Sequence, residues 1–250
     1  MRQLLPSAPN GSGDDPLATY VAAERPPLPD RPWVLVNMVV SADGATAIDG
    51  RASGMGGEPD KRVFHALRAV PDVILVGAAT ARAENYGPAK RAGDRPPPRV
   101  AVVTASGDLA PSLRLFAEAD PALPPPIVIT SRGCDPARLA RLESMAEVIV
   151  AGAEIADIGI ALGALRARGA SIVLCEGGPS LNGQLVARDL IDEWCLSLAP
   201  MLVGGISSRA AVGDAAPQPI PVVLDRLLEE DGVCFARYLR AGRATITGLV

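Results

Sequence analysis

The feature that most constrains this chain is a series of short, unbroken apolar runs: DVILVG, RVAVVT, PIVIT, AEVIVA and SIVLC. None alternates apolar with polar residues, so none reads as a strand with one wet face. Val- and Ile-rich runs of this length, bounded by Pro, Gly or polar residues, suit strands covered on both faces. Helical stretches lie between some of them: Glu58 to Arg68, DPARLARLESM, EIADIGIALGALRARG and GGPSLNGQLVARD. PWVLVNMVVS supplies an earlier strand, and EWCLSLAPML and VCFARYLR supply later ones. Strand and helix in alternation predict an α/β domain, with a mostly parallel central sheet and helices on both faces. Apolar residues make up 48% of the chain but aromatics only 3%, so Val, Leu, Ile and Ala must fill the core.

Residues 1 to about 30 are rich in Pro, Gly and Asp. They are expected to form a flexible arm with a short helix within Leu17 to Glu24, ahead of a single domain over 31–250. GDRPPPR and PALPPP read as loops, because the strand pattern continues across both. A formal charge of −4 argues against a general nucleic-acid binder. The N-terminus has no signal-like apolar segment, and no run approaches the roughly 18 apolar residues of a membrane span. Cys134, Cys175, Cys195 and Cys234 are widely spaced with no C-x-x-C, which reads as free thiols in a reducing compartment. A cytoplasmic location is expected. The single histidine, His65, leaves no His-rich metal site and is expected at a helix edge.

The chemistry concentrates where strands end. Cys175-Glu176-Gly177-Gly178-Pro179-Ser180-Leu181 joins a buried strand to a helix through two glycines. Glycines allow close approach of a ligand, and a helix start favours an anion such as a pyrophosphate. A plain tight turn explains the same residues about as well, and the spacing is not G-x-G-x-x-G. Gly77-Ala78-Ala79-Thr80-Ala81-Arg82 repeats the plan, and ligands of parallel sheets lie at the carboxyl ends of strands. Asn37 to Gly44 forms a polar cluster that leads into a glycine-rich loop, where an ordinary Asp-Gly turn is the simpler reading. Asp60 and Phe64 share one helix face; packing accounts for the Phe, less readily for the acid.

In combination and order, NMVVSADGATAIDG, LRAVPDVILVGAATARAENYGP and LCEGGPSLNGQLVARDLIDEWCLSLAPMLVGG resemble the reductase domain of bacterial riboflavin-biosynthesis deaminase/reductases, and more closely the stand-alone actinobacterial pyrimidine reductases. The resemblance runs from about Pro32 to Arg240, and the deaminase zinc motif is absent. It implies a dihydrofolate-reductase-like fold, a homodimer, and NADPH-dependent reduction of 5-amino-6-(5-phosphoribosylamino)uracil to a ribityl product. Residue by residue, it places Gly77, Thr80, Gly177, Gly178, Pro179 and Ser180 at the cofactor, with Thr104 and Ser106 on its adenosine side. It places Ser41, Asp43, Arg68 and Glu176 on the substrate side. Ala78, Arg82 and Leu181 complete the expected cofactor set, and Asn37, Phe64 and Glu84 the substrate set. Asp60 and Glu176 are the expected catalytic residues, and no metal is expected. The chain departs from the family pattern at Ala45, where a Lys is usual, at Gly56, where Ser or Thr is usual, and at Ala83-Glu84-Asn85-Tyr86, where A-D-x-P is usual. These departures bear on the substrate more than on the cofactor. A pterin reductase on the same fold, suggested by Asp60 and Phe64, is the alternative; a non-catalytic NADPH-binding protein is the second.

Overall fold

The computed structural model describes residues 1–6, 15–52, 54–91 and 95–242. Parts of the expected arm (7–14), of the glycine loop (Ser53), of the GDRPPPR break (92–94) and of the expected domain's end (243–250) lie outside the described residues.

In chain order the elements are β1 (Arg2–Leu5), α1 (Pro16–Val21), β2 (Trp33–Ser41), α2 (Gly57–Arg68), β3 (Val73–Gly77), α3 (Ala78–Ala83), β4 (Arg99–Val103), α4 (Arg114–Ala117), β5 (Ile127–Thr130), α5 (Pro136–Glu143), β6 (Glu147–Val150), α6 (Ile158–Ala167), β7 (Ile172–Cys175), α7 (Pro179–Ala187), β8 (Glu193–Ala199), β9 (Val222–Glu230) and β10 (Val233–Arg240). They build a ten-stranded sheet in the order β1-β9-β10-β8-β2-β7-β3-β4-β5-β6. From β8 to β6 every neighbouring pair is parallel; β10, β9 and β1 add an antiparallel flank.

The unbroken apolar runs have the expected physical reason. Within β2, Trp33 and Leu35 enter one core with Val63, Leu67, Ile74 and Leu174, while Val34 and Val36 enter a second core with Leu75, Leu162 and Leu185. Successive side chains point to opposite faces, and helices cover both, so both must be apolar. Helix starts follow local chemistry too: Asp135 and Asp157 cap α5 and α6 through backbone N–H groups of Arg138 (2.9 Å) and Gly159 (2.9 Å).

One expectation is corrected, and two further features come with it. The described parts of the N-terminal arm are tied to the domain: β1 pairs with β9, and Tyr20 of α1 is only 1% exposed. Arg25 forks onto Glu193, with Nε to Oε2 and Nη2 to Oε1 both at 2.8 Å. Second, β8 is no edge strand. It lies between β10 and β2, so its apolar residues are spent inside the fold and give no argument for a dimer. Third, β9 escapes a reading by pattern, because VVLDRLLEE neither alternates nor runs unbroken. Its signal was the turn Asp231–Gly232, with φ of 53° and 79°, joining it to β10 as a tight hairpin.

A buried ion cluster fastens this flank to the parallel sheet. Glu193 accepts from Arg25, from Arg237 (Nε to Oε1, 2.8 Å) and from the Trp33 indole (3.3 Å). Burial pushes the Glu193 carboxyl up, but the two guanidiniums overturn that and hold it at about 2. One residue earlier, Asp192 is forked by Arg31 at 2.5 and 2.9 Å and accepts the Val34 N–H.

Candidate active site

The carboxyl ends of β2, β7, β3 and β4 lie side by side, because the parallel order brings distant segments to one edge. β7 and β3 present the two glycine turns to each other. Gly77 N–H donates to Gly177 O at 2.8 Å, and a Cβ on Gly77 would stand 3.3 Å from Gly178 N. Gly177 has φ +83°, which a side chain rarely tolerates. A Cβ on Gly178 would come within 2.5 Å of Thr80 Oγ1. Any side chain at position 178 would thus first displace Thr80. The cradle is bare backbone with one hydroxyl beside it; α7 begins at Pro179, which has no N–H, and since the N–H groups of Leu181 and Asn182 turn back to Gly178 O, Ser180 N–H is the first-turn donor left without a helical carbonyl. This donor set fits a pyrophosphate.

Two residues of the expected cofactor set also build the turns. Leu181 buries its side chain in the core and donates its N–H to Gly178 O at 3.0 Å; Ala78 is buried at the start of α3. Further along the edge, Thr104 Oγ1 accepts from Gly107 N–H at 3.1 Å, and Ser106 Oγ accepts from Asp108 N–H at 3.2 Å, so both shape the loop after β4. Arg82 donates to Asp108 O at 2.8 Å and Arg138 to Ser106 O at 3.1 Å. Both guanidiniums thus lie at this rim with a backbone carbonyl as hydrogen-bond acceptor.

On the α2 face of the sheet lies a second group. Arg68, in the last turn of α2, forks Glu176 with Nε to Oε1 at 2.7 Å and Nη2 to Oε2 at 2.6 Å. Tyr86 donates its hydroxyl to the same Oε2 at 2.8 Å, and the Arg68 guanidinium lies 4.2 Å from the Phe64 ring centroid. Burial, then the charge of Glu176, pushes the Tyr86 phenol well up, so it stays protonated. Burial pulls the Arg68 guanidinium down, but Glu176 more than reverses this. Tyr86 was noticed in the sequence only as a departure from a family pattern; its contact with Glu176 was not foreseen.

Asp60 lies one turn before Phe64. Burial raises its carboxyl above the ordinary value, and a hydrogen bond with Ser197 of β8 opposes the rise. Ser197 pairs with Val39 of β2, two register steps beyond Asn37 and Cys195 and so on the same face. Asn37 Oδ1 is buried without a hydrogen-bond partner among the described residues. Ser197 gave no sequence signal, because a hydroxyl inside an apolar strand points to nothing by itself.

Three residues of the expected substrate set hold loops in place. Ser41 donates to Asp43 Oδ1 at 2.5 Å and accepts from Ala45 N–H at 2.9 Å. Asp43 also accepts from Val203 N–H (3.2 Å) and Gly204 N–H (2.7 Å); the Ser41 hydroxyl and these backbone N–H groups hold its carboxyl at about 2. Together they anchor a strap, residues 201–212, whose far end is held by Asn182 on Ala210 O (2.8 Å) and by Val212 N–H on Pro179 O (3.0 Å). The strap therefore runs from the β2 end to the α7 start. Glu84 accepts from Ala52 N–H at 2.9 Å and so holds the glycine loop.

His65 is exposed, edge-on to Phe64. The four cysteines are free, and burial pushes Cys175 up to about 12. Among the described residues no group of His, Cys, Asp and Glu could hold a metal ion. No helix among them is long and apolar enough to cross a membrane. A groove of about 320 Å³ lies at the opposite strand ends, around Asp72, Arg99 and Ala170. Its arginines Arg95, Arg99 and Arg168 are paired with Asp72 or Glu147, and no chemistry converges there.

The chain is similar to several known proteins. A family described as the RibD C-terminal domain matches residues 32–231. A 2,5-diamino-6-ribosylamino-4(3H)-pyrimidinone 5′-phosphate reductase from Methanothermobacter thermautotrophicus is 32% identical over 185 residues, covering 73% of this chain and 84% of the relative. A reductase of the same name from Aquifex aeolicus is 32% identical over 192 residues, covering 74% and 84%. A pyrimidine reductase-like protein from Corynebacterium diphtheriae superposes with a TM-score of 0.76 at 28% identity, covering 92% of this chain and 96% of that one.

Proposed function

The chain belongs to the RibD C-terminal domain family of pyrimidine reductases, and from that premise we propose that it uses NADPH to reduce the ribosyl side chain of a phosphoribosylamino-pyrimidine to a ribityl chain. The observation that carries the reading is the meeting of a bare-backbone glycine cradle with the Arg68–Glu176–Tyr86 cluster, the latter fixed beside it by Glu176 directly before Gly177.

Gly77, Gly177, Gly178 and Thr80, with the start of α7, would hold the pyrophosphate, while Arg82 and Arg138 would favour a 2′-phosphate and hence NADPH over NADH. When bound, the dinucleotide would supply a hydride to ribose C1′ of the ring-opened, imine-like substrate; ring opening breaks the C1′–O bond and moves the amine proton to the ring oxygen, and the reduced C=N bond takes up one proton at its nitrogen. The protein's part is positioning. Glu176 aligns the Arg68 fork, leaving Nη1 outside it for the sugar phosphate. Phe64 offers a ring face to the heterocycle, and the strap narrows the mouth and limits water. Asp60 and Asn37 face the heterocycle from the floor.

The decisive assay follows loss of reduced-nicotinamide absorbance with 2,5-diamino-6-ribosylamino-4(3H)-pyrimidinone 5′-phosphate, with 5-amino-6-(5-phosphoribosylamino)uracil and with dihydrofolate. Turnover of either phosphoribosyl compound, with ribityl product detected, is expected. Turnover of dihydrofolate alone would make the chain a pterin reductase, and turnover of none would leave a nucleotide-binding protein. Competitive titration should show weaker binding of NADH than of NADPH. A homodimer belongs to the same reading, with exposed Leu202 and Ile206 of the strap as apolar contact points; sedimentation giving only monomer at micromolar concentration would remove it.

A further inference from the structure

We infer that Gly56 and Asp60 set substrate specificity, by holding a carboxylate against the pyrimidine edge so that a 2-amino heterocycle is accepted over its 2-oxo counterpart. The inference rests on the reductase reading above.

Gly56 carries no side-chain cap for α2, and an added Cβ would lie 2.5 Å from Asp60 Cγ and 2.8 Å from Asp60 Oδ2. Asp60 therefore occupies the space that any side chain at position 56 would need. The absence of a Cβ allows the carboxylate to fold back over the start of α2, toward Ser197, instead of standing out in solvent as Glu58 does. The position costs solvation, since Asp60 has Ser197 as partner but no cation, in contrast to Glu176 and Glu193. Nearby, the buried Asn37 Oδ1 is a second acceptor without a donor. A floor with two underused acceptors calls for a ligand edge rich in N–H groups.

The two phosphoribosyl compounds differ at that edge. In the 2-amino-4(3H)-pyrimidinone, ring N3–H and the 2-amino group are adjacent donors, and one carboxylate can accept from both. In the uracil, N3–H is flanked by carbonyls, so one carboxylate oxygen would face a carbonyl oxygen. A site built to receive donors rejects the analogue lacking one far more strongly than an apolar pocket rejects a methylene. An amide at position 60 presents one acceptor and one donor, which matches N3–H beside C2=O.

The test is kcat/KM for both phosphates with NADPH, beside calorimetric dissociation constants of both for the protein loaded with NADP⁺. For the unaltered protein a preference of at least tenfold for the 2-amino compound is expected. Asp60→Asn should erase or invert it. Gly56→Ala should push Asp60 aside and reduce it several-fold, with NADPH affinity unchanged in both variants. Equal or better use of the uracil by the unaltered protein, or an unaltered ratio in Asp60→Asn, would overturn the inference. If neither compound is reduced, the reductase reading falls, while the ratio of the two dissociation constants still decides whether this edge is read.

Discussion

Two buried carboxylates divide the molecule. Glu193, at the join of the parallel sheet and its antiparallel flank, receives two guanidiniums and an indole and lies completely buried. Asp60, on α2, is partly buried, has one hydroxyl for company and no cation among the described residues, and belongs to the face where Asn37 Oδ1 is buried with no donor among them. The first arrangement is closed: every strong group is answered from within the chain. The second is open, and on the proposed reading its missing partners come from a ligand. Burial of polar groups is thus no sign of function by itself; what separates scaffold from site is whether the chain supplies the answering group.

The harshest way to probe this contrast is to open the closed cluster. Glu193→Ala should cost about 3–5 kcal/mol, because Arg25 and Arg237 would remain buried without their shared anion. Denaturant midpoints would report it, and a loss no larger than that of an exposed site would break the comparison. The same cluster predicts acid sensitivity. Glu193 is held at about 2 against an ordinary 4.5, so its contribution is present above the ordinary value and is lost as pH falls from there toward about 2.

Next in size is Glu176→Gln, which weakens the Arg68 fork inside the cleft. Hydrogen bonds to charged groups contribute about 1.5–3 kcal/mol, so kcat/KM should fall about ten- to a hundredfold. NADPH affinity should change little; a variant that loses cofactor binding in step with turnover would mean the fork serves the cradle instead. Gly178→Val addresses the cradle itself and should weaken NADPH binding at least tenfold through the displaced Thr80, with the far-ultraviolet circular dichroism unchanged.

The smallest effect has the opposite sign. The Asp60 carboxyl is raised by burial, so its protonated form is favoured in the fold; that contribution is present below the ordinary value and lost as pH rises through the raised one. At neutral pH the ionised group opposes folding, and Asp60→Asn should leave Tm equal or slightly higher while it damages recognition. A clear drop in Tm at neutral pH would place Asp60 with the scaffold.

The order of strands and helices, and the two glycine turns, were fixed by information close in sequence. Apolar runs, Asp caps and Gly or Pro at element ends act within a few residues, so pattern alone exposes them. Arg68 and Glu176 stand 108 residues apart, and only the insertion of β7 between β2 and β3 brings them together. The same holds for Tyr86 on Glu176, Ser197 near Asp60 and the strap on Asp43. β9 illustrates the limit from the other side: its residues show no clear strand pattern, and pairing with β10 makes it one. The sequence by itself determined a doubly covered parallel sheet with ligand-sized turns at one edge. Which polar groups would be answered internally, and which left for a substrate, was decided by the tertiary structure, because hydrogen bonds and charges act over a few ångströms of space and carry no trace in sequence separation.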